Sequence, residues 1–271
     1  MYIDAHKHID WKIDGGFDAS QMAEKLARRF HDDSSKFEIY SLLLSDLETF
    51  RQGGVGPDDI EFPFTCGIHP WELNIEALQS KFAYVEEYSL SKYCVGVGET
   101  GFDRVYGMEK GSFEDKKTVL DLQFESVLQH FKLAADIDRQ TSFSQRGIKF
   151  EKTIMVFHLV KSSDLFQKFL KDCRPSMPCL LHDFRGAPVF FETLAKRPNI
   201  FFGVGSLLER SDQKSKVLLK ALMNSRSLLE TDASLAKIDE IYRRFAEHSQ
   251  YSSEYSVVQR VQKVFTILLQ G

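Results

Sequence analysis

The stretch Cys94 to Gly101, CVGVGETG, can be read in two ways, and the fold turns on the choice. Residues 96–101 satisfy the G-x-G-x-x-G spacing of a dinucleotide-binding turn. Against that reading, Glu99 would set a carboxylate where a pyrophosphate belongs, no helical pattern opens at the following FDRVYG, and the motif lies mid-chain. The alternative takes CVGVG as a buried strand that delivers Glu99 at its carboxyl end. Seven more segments have this form: Tyr2 to His6, Glu38 to Leu44, Phe64 to His69, Thr153 to His158, Pro178 to Asp183, Asn199 to Gly205 and Ser227 to Asp232. Amphipathic stretches lie between them: Asp18 to Phe30, Ile75 to Tyr88, Asp121 to Ala135, Asp164 to Lys171, Pro188 to Lys196 and Asp212 to Met223. Each can return the chain to a parallel strand. Eight such units in 271 residues average about 34 residues, the unit size of a (β/α)8 TIM barrel. No linker divides the chain, so residues 1–271 are expected to form a single domain. A doubly wound open sheet is the alternative arrangement of the same elements. Arg104 to Lys117 and Asp136 to Lys152 exceed ordinary connections and are expected to be mobile.

Composition narrows the function. Hydrophobic residues at 43% and charged residues at 27% exclude disordered, collagen-like and coiled-coil chains. Thirty-five basic against 39 acidic residues leave a formal charge of −4, so no global positive field gathers long nucleic acid or an anionic membrane. Any phosphate contact must be local. No apolar run approaches the roughly 18 residues of a membrane span, and MYIDAHKHID lacks the regions of a secretion signal. Cys66, Cys94, Cys173 and Cys179 form no C-x-x-C pair and read as reduced, buried thiols of a cytoplasmic protein. The 23 phenylalanines follow strand and helix periodicity and are expected to fill the layer between barrel and helices.

The informative residues stand at strand ends. Asp4, His6 and His8 alternate along the first strand and so share a face. Glu99, His158, His182 and Asp232 each follow directly on an apolar run. In a parallel barrel all carboxyl ends lie on one rim, where active sites are built. Singly, each residue has a plain reading as a satisfied core histidine, an ion-pair partner or, for Asp232 in TDAS, a helix cap. Jointly, four histidines and two carboxylates suffice for two adjacent divalent cations, Mg²⁺, Mn²⁺ or Zn²⁺, with one carboxylate shared.

DAHKH, GIHPW (Gly67 to Trp71), GETGFD (Gly98 to Asp103), FHLVK (Phe157 to Lys161), LHDFRG (Leu181 to Gly186) and LLETDA (Leu228 to Ala233) together resemble the TatD-related metal-dependent deoxyribonucleases, in the family's order from Asp4 to Asp232. The resemblance implies a distorted (β/α)8 barrel of the amidohydrolase superfamily, a divalent metal site, and hydrolysis of DNA phosphodiester bonds. By matching positions it implies that His6, His8 and Asp232 hold one metal, that His158 and His182 hold the other, and that Glu99 bridges. The chain departs from the family pattern in FHLVK for I-H-x-R, ETDAS for ETDAP and GFDR for GLDY.

Phosphodiester hydrolysis needs an activated water, charge neutralisation and a stabilised leaving oxygen, all within the reach of two metals. Asp232 is expected to orient and deprotonate the water, and Glu99 to fix the spacing of the ions. Arg185, three residues beyond His182, offers a planar fork to phosphate, and Lys161, three beyond His158, a point charge. His69 is expected to contact substrate phosphate, while Asp4 and Asp103 orient imidazoles from behind. The expected substrate is single-stranded DNA or DNA ends, and no feature signals an obligate protein partner or a membrane. A small amide, lactone or phosphate ester is the alternative substrate. A non-catalytic binding subunit is the third possibility, and it gives no reason for a convergent ligand set.

Overall fold

The computed structural model describes residues 1–9, 19–32, 35–73, 78–106, 116–137, 143–145, 148–150, 153–234, 236–249 and 253–270. Eight strands line up in one all-parallel sheet: β1 (Tyr2–His8), β2 (Lys36–Leu43), β3 (Phe64–Gly67), β4 (Cys94–Asp103), β7 (Ile154–Val160), β8 (Cys179–Leu181), β9 (Ile200–Val204) and β10 (Ser227–Leu229). The first and last strands meet. The Asp232 amide donates to the His6 carbonyl at 3.0 Å and the His8 amide to the Asp232 carbonyl at 3.3 Å, so the sheet curls into a nearly closed barrel. The strands are apolar on both faces, as expected when helices cover the outside and side chains fill the inside.

The helices are α1 (Ala19–Asp32), α2 (Leu44–Gln52), α3 (Leu78–Ser89), α4 (Lys116–Ile137), α5 (Ser163–Cys173), α6 (Pro188–Ala195), α7 (Gln213–Leu222), α8 (Ile238–His248) and α9 (Glu254–Gln270). Six match the amphipathic stretches. No helix among the described residues is long and apolar enough to cross a membrane. Phenylalanines lie where strand meets helix: Phe157 of β7 packs on Phe166 and Phe169 of α5 at 5.0 and 5.4 Å between ring centroids. Phe202 of β9 likewise meets Phe191 of α6 at 5.0 Å.

The glycines of GVGETG serve packing. All ten residues of β4 are buried. Gly98 and Gly101 have φ of 129° and 146°, a region that side-chain-bearing residues avoid. A Cβ at either would run into a β7 carbonyl, that of Val156 or of His158. Glycine therefore lets β4 lie against β7 and carry Glu99 to the rim. Part of the Asp136 to Lys152 stretch forms an antiparallel hairpin, β5 (Phe143–Gln145) with β6 (Ile148–Phe150), and β6 approaches α9. The rest of that stretch between 138 and 152, and 107–115 of the Arg104 to Lys117 stretch, lie outside the described residues.

Candidate metal centre

Five strands and the turns that follow them bring all six expected ligands into one cluster around Glu99. Its Oε2 lies 2.9 Å from His8 Nε2 and 3.4 Å from His6 Nε2. Its Oε1 lies 2.6 Å from His182 Nε2, 2.9 Å from His158 Nδ1 and 3.2 Å from His69 Nε2. Asp232 Oδ1 stands 3.5 Å from His6 Nε2 and 3.3 Å from His8 Nε2. The two Glu99 oxygens thus face different ligand sets, and within His6, His8 and Asp232, and again within His6, Glu99 and His182, the ligand atoms lie within 4.8 Å of one another. Glu99 and His6 are buried, whereas the Asp232 side chain is 31% exposed and that of His8 17%. The cluster is reached from the Asp232 side.

Hydrogen bonds fix which nitrogen each imidazole turns inward. His6 Nδ1 sits 2.8 Å from Ser41 Oγ, which is 3.0 Å from Thr65 Oγ1, so Nδ1 is turned away from the cluster and Nε2 faces Glu99. His158 Nε2 is held by Asp103 Oδ2 at 3.2 Å, so Nδ1 faces the cluster. His69 is set the other way: its Nδ1 accepts from the Trp71 amide at 3.2 Å, so Nε2 carries the proton and donates toward Glu99. His69 belongs to a third group of metal-competent atoms with Glu99 and His158, but in this tautomer it is a donor and not a ligand.

The chemistry of these atoms suits divalent cations. His6 Nε2 and Glu99 Oε2 are buried and have no hydrogen-bond partner, an arrangement that costs free energy unless something electropositive joins them. Burial alone would raise Glu99, yet the histidines around it, His182 foremost, hold it well below the usual carboxylate range. Burial would likewise raise Asp232, and the imidazoles of His6 and His8 beside it hold it below its ordinary value. Burial would push His8 and His158 down, but their carboxylate partners, Asp232 and Glu99 for one and Asp103 and Glu99 for the other, draw them up to about 9. The cluster demands positive charge, and divalent cations meet that demand with nitrogen and oxygen donors alone.

Around this cluster the structure sorts the remaining candidates. Asp103 touches His158 as expected and also accepts from the Trp71 indole at 2.8 Å and from the Val105 and Tyr106 amides at 2.9 Å. Burial would raise its carboxyl, but these donors, His158 first, bring it to about 2. Asp4 differs from expectation. Its carboxylate takes the Thr231 amide at 3.0 Å and the Thr231 hydroxyl at 2.6 Å, so it anchors the residue before Asp232 and not an imidazole. The sheet closes where β1 meets the residues after β10, which brings Thr231 to Asp4. Arg185 is 41% exposed and pairs with Asp183 at 3.1 Å. Lys161 is exposed, and its carbonyl accepts from Arg104 at 3.1 Å. Among the described residues neither cation forms an ion pair with the cluster.

Glu230 is a residue that strand-end reasoning passes over. It is fully buried, its Oε1 lies 3.8 Å from His182 Nδ1, and a Cβ at Gly203 would collide with its carboxyl. His182 Nδ1 and Glu230 Oε2 both lack a hydrogen-bond partner, and burial holds the Glu230 carboxyl well above its ordinary value. It stands behind His182 as Asp103 stands behind His158. The signal available was LLETDA itself, where Glu230 follows the strand as directly as Asp232 does.

The sequence model of one family, described as TatD related DNase, matches residues 3–267, nearly the whole chain. No curated protein matches it closely enough to add a named relative.

Proposed function

The chain belongs to the TatD related DNase family, a family of metal-dependent hydrolases, and from that premise we propose that it hydrolyses phosphodiester bonds at single-stranded or frayed DNA ends. The observation that carries this reading is the set of metal-competent side chains converging on the two oxygens of one buried carboxylate, Glu99. His6, His8 and Asp232 would hold one divalent ion and His158 and His182 a second, with Glu99 shared. When bound, such ions neutralise charge on a phosphoryl group and let water attack it near neutral pH.

The chain's own residues supply the rest. Asp232, ionised and open to solvent, orients the attacking water and takes its proton on the carboxylate. His69, with its Nε2 proton fixed by the Trp71 amide, donates to a non-bridging phosphate oxygen. Arg185 exchanges the Asp183 carboxylate for a neighbouring phosphate, and Lys161 adds a point charge. Asp103 keeps the His158 imidazole aimed, and Glu230 stands behind His182. Four free cysteines fit the reducing cytoplasm, where we place the protein.

The test is hydrolysis of end-labelled single-stranded and duplex oligonucleotides by metal-loaded and chelated protein, beside a small amide, a lactone and a phosphate monoester. Chelation should abolish turnover, and Asp232→Asn should lower kcat at least about 100-fold with less effect on KM. Full activity in metal-free protein, or turnover confined to the small substrates, would overturn the assignment.

A further inference from the structure

The ring faces of an aromatic pair beside the centre have no part in the chemistry above. Trp71 is 50% exposed, and among the exposed large apolar side chains of the described residues it is the one whose ring meets the site's histidines, with centroids 4.8 Å from His69 and 5.8 Å from His158. The residue is nonetheless held through its ring nitrogen and both backbone polar groups. The indole N–H donates to Asp103 at 2.8 Å, the amide to His69 at 3.2 Å, and the carbonyl accepts the Tyr106 hydroxyl at 2.9 Å. Tyr106 stacks on the indole at 5.2 Å with 14° between the planes. A rigid aromatic face left in water next to a reactive centre is organised in advance for a flat partner, because little side-chain entropy remains to be lost on binding.

We propose that Trp71, backed by Tyr106, is the stacking platform for an unpaired nucleobase adjoining the phosphate to be cleaved. The inference rests on the nuclease reading and names how that site takes hold of its substrate. Every base has a π face, so the platform is tolerant of sequence. A base within a duplex offers no free face, so the platform favours strands that are single or frayed. It also supplies affinity that a chain of net charge −4 cannot draw from many phosphate contacts.

The chain has two tryptophans, Trp11 and Trp71, so Trp11→Phe leaves Trp71 as the sole reporter. In that background, indole emission is followed while a thymidine hexamer or an abasic sugar-phosphate hexamer is added, with chelator present. The same titration is repeated with Mn²⁺ and phosphorothioate versions of both. The platform predicts quenching by the base-bearing strand alone. Quenching by neither strand, or equally by both, overturns it whatever turnover shows. Quenching without hydrolysis keeps the platform and removes the nuclease reading.

Kinetics separate stacking from support of Asp103. Trp71→Ala should raise KM for single-stranded DNA about tenfold, the scale of one lost base stack, and change kcat less. Trp71→Phe keeps a ring face but loses the N–H to Asp103, and should stay within about threefold of the parent KM. If Trp71→Phe fails as badly as Trp71→Ala and both lose metal affinity by calorimetry, Trp71 is a prop for Asp103 and the platform is wrong.

Discussion

His130 lies in the middle of α4, fully buried, with Nδ1 donating to the Ser126 carbonyl at 2.7 Å and Nε2 accepting from the Ile68 amide at 3.0 Å. It thereby pins the end of β3, one residue before His69. Burial lowers its pKa to about 4, so the folded protein keeps it neutral. An unfolded imidazole takes its proton near 6.5, so as pH falls the unfolded chain is favoured first. The stability this residue contributes is full above about pH 6.5 and drains away as pH falls toward 4, a loss of about 3 kcal/mol. Urea denaturation across that range should show the fall, and His130→Gln, which keeps an acceptor but does not titrate, should flatten it. An equal fall in the variant would assign it to other groups. His130 could not be picked out from the sequence, because a histidine inside an amphipathic helix shows neither its depth nor its partner. The six expected ligands were legible for the opposite reason: two alternate along the first strand and four follow an apolar run directly, and strand geometry fixes where such residues must go. What the sequence hid was orientation, such as the tautomer that makes His69 a donor, which depends on the Trp71 amide.

At the level of elements, β4 and β7 form the seam on which the centre depends, since one carries Glu99 and Asp103 and the other His158. Gly101 has φ of 146° and faces the His158 carbonyl with no room for a methyl group. Gly101→Ala should therefore cost about 1–3 kcal/mol through its backbone conformation alone, more with the clash. Because the clash pushes on the residue that carries an imidazole, Mn²⁺ affinity should also drop at least about tenfold. Thermal melts with calorimetric titration measure both, and Gly56→Ala, where φ is −85° on an exposed 3-10 turn, is the control. A Gly101→Ala protein with parental midpoint and affinity would mean that the seam is slack. The parallel strands were readable from their apolar runs, whereas α2 was not. It starts at the end of β2, and Glu72, from the turn after β3, accepts the Leu44 and Ser45 amides at 3.0 and 3.2 Å. The local signal of this helix is slight, one carboxylate, Asp46, that accepts the Leu43 amide at 3.1 Å, and the rest of the start comes from a residue 28 positions away. The β5–β6 hairpin was hidden for a related reason, since its strands are three residues each.

For the whole molecule, charge sets the manner of the proposed DNA binding. With 39 acidic against 35 basic residues, only two or three phosphates can be neutralised at the rim, so log K against log salt should have a slope near −2 for a single strand. Anisotropy of a labelled oligonucleotide from low to physiological salt measures it, and Arg185→Ala should make it shallower by about 0.7. A slope several times steeper would reveal an extended basic face. The closure of the barrel has a consequence of another kind. Asp4 and Thr231, 227 positions apart, hold each other at the join, and the bridge beside them pairs Lys7 with Asp232, next to His6 and His8. A ribosome therefore releases His6 and His8 long before their partner carboxylate. Until that late strand docks, the growing polypeptide owns the histidines without the proposed base, so a product terminated before Asp232 is expected to lack the proposed hydrolase activity.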